Sequence, residues 1–306
     1  MNYKITIFGA KDTTYEIIEY IENNLDKIDL IVTIDETVLT HSNVAGFKSL
    51  KSLAEKYHID FFETKDYTMQ DHASRSFFEN NEFELGISMG WQRLIPDYIL
   101  KRYKCGIFGF HGSCGYLPYG RGRSPMNWSL INGDSRFIMN LFQYDKAADS
   151  PNIFDSIMFE INNFDTIRTL QFKNLLCAKD LISRLLKAYK NNAIMIKTET
   201  HDFDFWYNKR GPKDGKIDFR LKTREIYNLI RGVTRPFPGA FAYVNKEKVT
   251  IWNAVPFDQL LDFSGYCPGE IIDVFDGKPL VRTVDGSLMI NEYESIATLK
   301  QHDVFE

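Results

Sequence analysis

The chain has 306 residues, 44% of them hydrophobic and 25% charged, an ordinary globular balance at a length that suits two domains better than one. Its formal net charge of -4 and pI of about 5.9 argue against a protein built mainly to grip nucleic acid, which needs clustered Lys and Arg. No apolar run reaches the roughly 18 residues of a membrane span, and residues 1–8 pass into strand-like alternation without a signal-peptide pattern, so a cytoplasmic location is expected.

Residues 3–8 (YKITIF) are a short apolar run ending at Gly9. A polar turn follows, and Ile17, Ile18, Ile21 and Leu25 then recur at helical spacing. Residues 30–34 (LIVTI) read as a buried parallel strand stopped by Asp35. Residues 50–57 predict a helix, 59–62 a short strand, and 84–88 and 106–110 two more strands. This alternation implies an α/β fold, a Rossmann-like open, mostly parallel sheet with helices on both faces, whose ligands gather at the carboxyl ends of the strands. The first turn, Gly9-Ala10-Lys11-Asp12-Thr13-Thr14, has neither the GxGxxG spacing nor a Walker pattern, so nothing points to NAD or to an ATP phosphate loop.

Farther along, Ser124 and Pro125 suit the N-cap and first position of a helix that runs to Ile131 and stops before Gly133. Residues 137–142 and 153–159 are apolar segments, the first reading as a strand. A long helix is predicted over 166–189, with Leu175, Ile182, Leu185 and Leu186 facing inward. Composition changes after about residue 200, and 209–216 (KRGPKDGK) is a charged turn rich in Gly and Pro. The expected domains are 1–203, catalytic, and 204–306, small and mostly β. The second opens with a helix aligning Ile226, Ile230 and Val233. It continues with a hairpin of 241–244 and 249–253 across 245–248. Strands at 271–275, 280–284 and 287–293 follow, separated by Asp276-Gly277 and Asp285-Gly286, an antiparallel meander with turns compatible with type I′.

Chemistry-bearing residues concentrate at 109–128. His111 ends a predicted strand and precedes a loop rich in Gly and Pro, where backbone N–H groups can approach a ligand closely. Histidine titrates near pH 7, although a lone His is more often a core or surface residue than a catalyst. Asp145 and Asp149 lie in a turn beyond 137–142, and acids in turns are commonly solvated turn formers. Cys105, Cys114, Cys177 and Cys267 form no CxxC pair, so no metal site is expected and idle reduced thiols are. Cys114 follows His111 closely, yet nothing in its neighbourhood is arranged to activate a thiolate.

His111-Gly112-Ser113, Leu117-Pro118, Arg121-Gly122-Arg123, Pro125 and Asn127-Trp128 together resemble the signature loop of the formyltetrahydrofolate-dependent formyltransferase superfamily. Within it they are most similar to the sugar-modifying branch, in particular the formyltransferase domain of the UDP-4-amino-4-deoxy-L-arabinose enzyme. Asn132-Gly133-Asp134 continues the match and places Asp149 on the family's catalytic aspartate. A separate match runs through 209–241, with Lys209-Arg210-Gly211-Pro212-Lys213-Asp214-Gly215 and Thr234-Arg235-Pro236-Phe237-Pro238-Gly239 resembling the opening of the family's C-terminal domain. The resemblance covers roughly residues 82–300. It departs at one place: the family has Asn two residues before the His, and this chain has Gly109. Loss of one donor to a developing oxyanion costs on the order of 10²- to 10³-fold in rate. A Gly backbone N–H, the His111 imidazolium, Asn127 and Asn140 are the replacements open to sequence.

The resemblance implies 10-formyltetrahydrofolate as co-substrate, no metal, and a nucleotide-linked amino sugar of a surface glycan as acceptor, with a homodimer compatible. Methionyl-tRNA formylation, or folate or nucleotide-sugar binding with weak catalysis, are the competing functions. His111 and Asp149 are implied as catalytic. Met89, Gly90, Trp91, Leu94 and Ile95, with Tyr144, Asp145, Lys146 and Ala147, would form the folate pocket. Ordinary core packing is the other account of Met89, Trp91 and Leu94. Arg121, Arg123 and Asn127 are the substrate candidates, the two Arg suiting a diphosphate or ordering their own loop.

Overall fold

The computed structural model describes residues 1–38, 46–146, 152–198 and 205–306. In chain order its elements are β1 (Asn2–Phe8), α1 (Asp12–Asn24), β2 (Leu30–Ile34), α2 (Lys51–Tyr57), β3 (Asp60–Thr64), α3 (His72–Glu79), β4 (Glu82–Ser88), α4 (Asp97–Leu100), β5 (Ile107–Ser113), β6 (Tyr119–Gly122), α5 (Pro125–Asn132), β7 (Arg136–Gln143), β8 (Asn152–Glu160), α6 (Ile167–Lys190), β9 (Lys197–Thr198) and β10 (Phe205–Tyr207). Then come α7 (Thr223–Val233), β11 (Ala240–Val244), β12 (Glu247–Asp258), β13 (Ile271–Phe275), β14 (Lys278–Arg282) and β15 (Ser287–Glu294). Contacts divide the chain into two compact units: Met1–Arg121, Ile138–Met158 and Asn174–Phe205 in the first; Gly122–Phe137, Phe159–Lys173 and Trp206–Glu306 in the second. No helix among the described residues is long and apolar enough to cross a membrane.

The large sheet has the order β3-β2-β1-β4-β5-β7-β8-β9. From β3 to β5 the neighbours are parallel, and β7 then joins β5 antiparallel. The expected α/β, mostly parallel sheet is therefore present. β2 is buried at all five positions, which is why LIVTI shows no alternation: both of its faces are covered. α1 buries Ile17, Ile18 and Ile21 at the expected spacing. The chain builds outward from β1 through β2 to β3, then returns to β4 beside β1. Such a reversal leaves a crevice past the carboxyl ends of β1 and β4.

β5 differs from expectation in length. The apolar pattern ends at Phe110, but the strand continues through His111 to Ser113. The parallel ladder with β4 stops at Ser88↔Gly109, while β7 supplies partners beyond it: His111↔Asn140, Gly112↔Met139 and Ser113↔Ile138. His111 is thus inside the strand and not at its end. α5 starts at Pro125 and ends against Gly133 in the left-handed region, as expected. Ser124 does not cap it as predicted; the residue itself sits at φ 60° and its side chain makes no cap bond. α6 closely follows the predicted span, burying Ile182, Leu185 and Leu186 while Leu175 is half-buried.

In the second unit five antiparallel strands take the order β11-β12-β15-β14-β13. Their core includes Ala242, Val249, Ile251, Val281, Leu288 and Ile290, and α7 adds Ile226, Ile230 and Val233. The first hairpin is tighter than predicted: Asn245 and Lys246 are its two turn residues, at φ 51° and 69°, and β12 begins at Glu247. Asp276-Gly277 adopts the expected left-handed pair, φ 51° and 74°. Asp285-Gly286 does not. Neither residue has positive φ, β14 ends at Arg282, and the Asp285 carboxylate accepts hydrogen bonds from Thr223 N at 2.7 Å and Thr223 Oγ1 at 2.8 Å. That aspartate ties down the start of α7 rather than shaping a type I′ turn.

Candidate active site

The site is built where β1 and β4 end beside the middle of β5, with Phe8 paired to Ser88 and Ser88 to Gly109. Two glycines let the loops beyond close on one another. A Cβ on Gly9 would lie 2.2 Å from Met89 O and 2.3 Å from Thr14 Oγ1. Gly90, at φ +80°, would place one 2.7 Å from the same Thr14 oxygen. Thr14 Oγ1 donates to Met89 O and so fastens the start of α1 to the β4 loop. Met89, Trp91 and Ile95 are buried, whereas Leu94 is 62% exposed. Trp91 packs edge-on against Phe8 and Tyr67. Its indole Nε1 is buried with no hydrogen-bond partner among the described residues, an unmet donor at a crevice lined by apolar side chains.

His111 is half-buried in β5. Its Nε2 donates to Gly120 O at 2.7 Å, because a carbonyl only accepts. That bond places a proton on Nε2 and holds the ring in its orientation on β5. Asn140, paired with His111 across the ladder, is fully buried. Its Nδ2 donates to His111 O at 3.2 Å and its Oδ1 accepts from Ser156 Oγ at 2.8 Å. Those bonds commit the Asn140 amide to holding β5 and β8 in place.

The space beside Gly109 is occupied by Tyr144. A Cβ on Gly109 would lie 2.1 Å from the Tyr144 phenol oxygen and 2.2 Å from two of its ring carbons. The ring packs against Phe142, centroids 5.3 Å apart, and its hydroxyl donates to Ser88 Oγ at 3.3 Å. Following it, Asp145 accepts from Asn152 Nδ2 at 3.3 Å and Lys146 Nζ stands 3.8 Å from Asp97. Ala147 and Asp149 lie outside the described residues.

Of the remaining candidates, Arg121 is half-buried on β6. In the second unit Arg123 is exposed and its N–H donates to Tyr207 O at 3.2 Å, while the buried Asn127 donates its Nδ2 to Gly232 O at 2.7 Å. A cavity of about 110 Å³ in that unit is lined by Asn127, Arg210, Pro212, Val233, Phe237 and Pro238, and Arg210 lies over the Trp128 ring at 4.7 Å. The structure therefore gathers His111, Tyr144, Met89, Gly90, Trp91 and Ile95 in the first unit, and Arg123 and Asn127 in the second.

Lys11 is a residue that sequence reasoning passed over. It is half-buried at the turn out of β1, and its Cβ is 3.1 Å from where a Gly90 Cβ would stand. Burial pushes its amine below the ordinary lysine range, with Asp12 pulling partly the other way. Its place immediately after the first strand was the available signal. All four cysteines are free of disulfides, and burial raises the thiols of Cys105 and Cys177. Among the described residues no cluster of three or more His, Cys, Asp or Glu has metal-holding geometry.

Residues 210–304 match the family model of the formyl transferase C-terminal domain. Over 243 residues the chain is 32% identical to the bifunctional polymyxin resistance protein ArnA of Wigglesworthia glossinidia brevipalpis, covering 78% of this chain and 36% of that protein. The chain thus spans only about a third of that relative's length. Two solved structures share the fold. One is the N-formyltransferase from Helicobacter canadensis, solved with folinic acid and dTDP-3-aminofucose, with TM-score 0.67, 19% identity, and 94% of this chain and 98% of that one covered. The other is WlaRD, a sugar 3N-formyl transferase solved in the presence of dTDP and 5-N-formyl-THF, with TM-score 0.66, 19% identity, and 97% and 98% covered.

Proposed function

We propose that this chain, a relative of the formyltetrahydrofolate-dependent formyltransferases, moves a formyl group from 10-formyltetrahydrofolate to the primary amine of a nucleotide-linked amino sugar. The observation that carries the reading is His111, held on β5 by its bond to Gly120 O beside the crevice at the strand reversal. The folate residues fit such a group. Gly9 and Gly90 let backbone close in, and the unmet Trp91 Nε1 is a donor wanting an acceptor. Met89, Trp91 and Ile95 offer apolar surface for a flat ring and exposed Leu94 an edge, and the turn of Tyr144, Asp145 and Lys146 would supply the other wall.

The folate, when bound, supplies an activated formyl carbon. His111 removes or relays the proton that the attacking amine must lose, work worth roughly 10²- to 10⁴-fold in rate. In this reading Asp149 stays ionised and steadies the charged imidazole, as the acid does in a Ser-His-Asp triad. Arg121 of the first unit faces the diphosphate of the sugar nucleotide. The product would feed surface-glycan synthesis in the cytoplasm. Acceptor-dependent release of tetrahydrofolate, measured over UDP-, dTDP- and GDP-amino sugars with methionyl-tRNA alongside, tests this. Turnover on one sugar, lost in His111→Ala, is the expected result. Turnover on tRNA alone would move the chain to translation, and folate binding with no turnover would make it a binding protein.

A further inference from the structure

We propose that the Tyr144 hydroxyl is the donor that holds the formyl oxygen during transfer, in place of the asparagine that the resembling enzymes carry two residues before the histidine; this rests on the formyl-transfer reading. The argument starts from strand geometry. Residues 109 and 111 of β5 point to the same sheet face, their Cβ positions roughly 7 Å apart. A side chain at 109 would therefore reach into the same space as the His111 ring. Gly109 provides none, and the Tyr144 phenol stands there instead, its oxygen the nearest atom to the missing Cβ at 2.1 Å. An asparagine at 109 would have to grow through that phenol.

The placement is built, not incidental. Tyr144 N donates to Ile107 O at 2.8 Å, fixing its backbone to β5. Leu117, Phe142 and Ile153 form the apolar cluster against which its ring packs. The hydroxyl's bond to Ser88 Oγ, at 3.3 Å, is long for an O–H···O contact. Rotation about the C–O bond re-aims the hydroxyl hydrogen without moving the ring. A neutral donor facing an oxygen that gains negative charge makes a bond that strengthens as the reaction proceeds, which is the differential interaction that raises rate.

The step balances with Tyr144 and His111 in separate roles. The bond from the acceptor amine to the formyl carbon forms and the bond from that carbon to the folate nitrogen breaks. The amine proton passes by way of the His111 imidazole to the leaving nitrogen, and Tyr144 keeps its own proton throughout.

The test compares wild type with Tyr144→Phe, which keeps the ring and its packing. Expected is a fall in kcat of roughly 10²- to 10³-fold with KM values nearly unchanged. Binding gives a readout independent of turnover. Wild type should prefer 10-formyl-5,8-dideazafolate over its deformylated counterpart by roughly 3- to 10-fold, the worth of one neutral hydrogen bond, and Tyr144→Phe should lose that preference. Wild-type kcat in Tyr144→Phe overturns the proposal while leaving formyl transfer intact. Reduced kcat with the formyl preference preserved also overturns it, because the phenol oxygen then acts elsewhere. A wild-type chain that neither binds folate nor turns over overturns the functional reading and this proposal together.

Discussion

The β5 edge of the first unit and the five-stranded sheet of the second encode their shapes differently. In the sheet, turn chemistry sits at the turn: Asn245, Asp276 and Gly277 adopt left-handed backbone where the sequence places tolerant residues. At the β5 edge, the defining feature is a vacancy at Gly109 filled by Tyr144, which arrives on the far side of β7. A locally written feature is lost when its own residue changes, whereas a shared volume is lost when either partner does.

Gly109→Asn attacks the shared volume. With a Cβ 2.1 Å from the Tyr144 oxygen, the phenol must be expelled, and we expect a loss of roughly 2–3 kcal/mol in denaturant unfolding. Adding Tyr144→Ala should recover much of that loss, and stability measured for both single variants and the double variant would expose the coupling. Additive losses would mean that the two positions do not share a volume.

Asp165 probes a polar version of the same dependence within the second unit. Its buried carboxylate accepts from Lys173 Nζ at 2.6 Å, Thr169 Oγ1 at 2.8 Å and Asn162 N at 2.8 Å. Burial alone would raise its pKa, but these bonds outweigh it and the carboxyl lies below its ordinary value. Asp165→Ala should cost roughly 2–3 kcal/mol near pH 7, leaving the Lys173 charge without its partner. Because the folded pKa is depressed, this stabilisation is present above the unfolded value of about 3.9 and fades as pH falls through the folded one. Melting curves of wild type and variant should therefore converge at acid pH. A constant gap across pH would show that the carboxylate's charge is not what stabilises the unit.

The two Asp-Gly pairs of the second unit separate the two kinds of encoding within a few residues. Gly277 has φ +74° and open space around its Cβ position, so Gly277→Asn, an accepted left-handed residue, should change stability by only about 0.5 kcal/mol or less. Gly286 lacks positive φ but would place a Cβ 2.7 Å from Asp258 O, a backbone atom that cannot move aside, so Gly286→Asn should cost roughly 1–3 kcal/mol. Thermal melts of the two variants check the contrast, and equal losses would erase it.

Much of this molecule was readable before its structure. LIVTI, the Ile17–Ile18–Ile21 spacing, Pro125 with Gly133, and Asp276-Gly277 each state their element in their own residues, because side-chain period and allowed φ are set within a few positions. The motif around His111 likewise pointed to the matched family, and the glycine at 109 was visible as a departure. Other features took shape only in the folded chain. The extension of β5 through His111 needed β7 as an antiparallel partner, and Asp285 was recruited by Thr223. Tyr144, not Asn127 or Asn140, fills the space at Gly109; those two amides are bound to Gly232 O, His111 O and Ser156. Sequence determines which conformations a residue permits. Strand register and packing determine which distant side chain enters a given volume, since that choice depends on what the neighbouring strands leave empty.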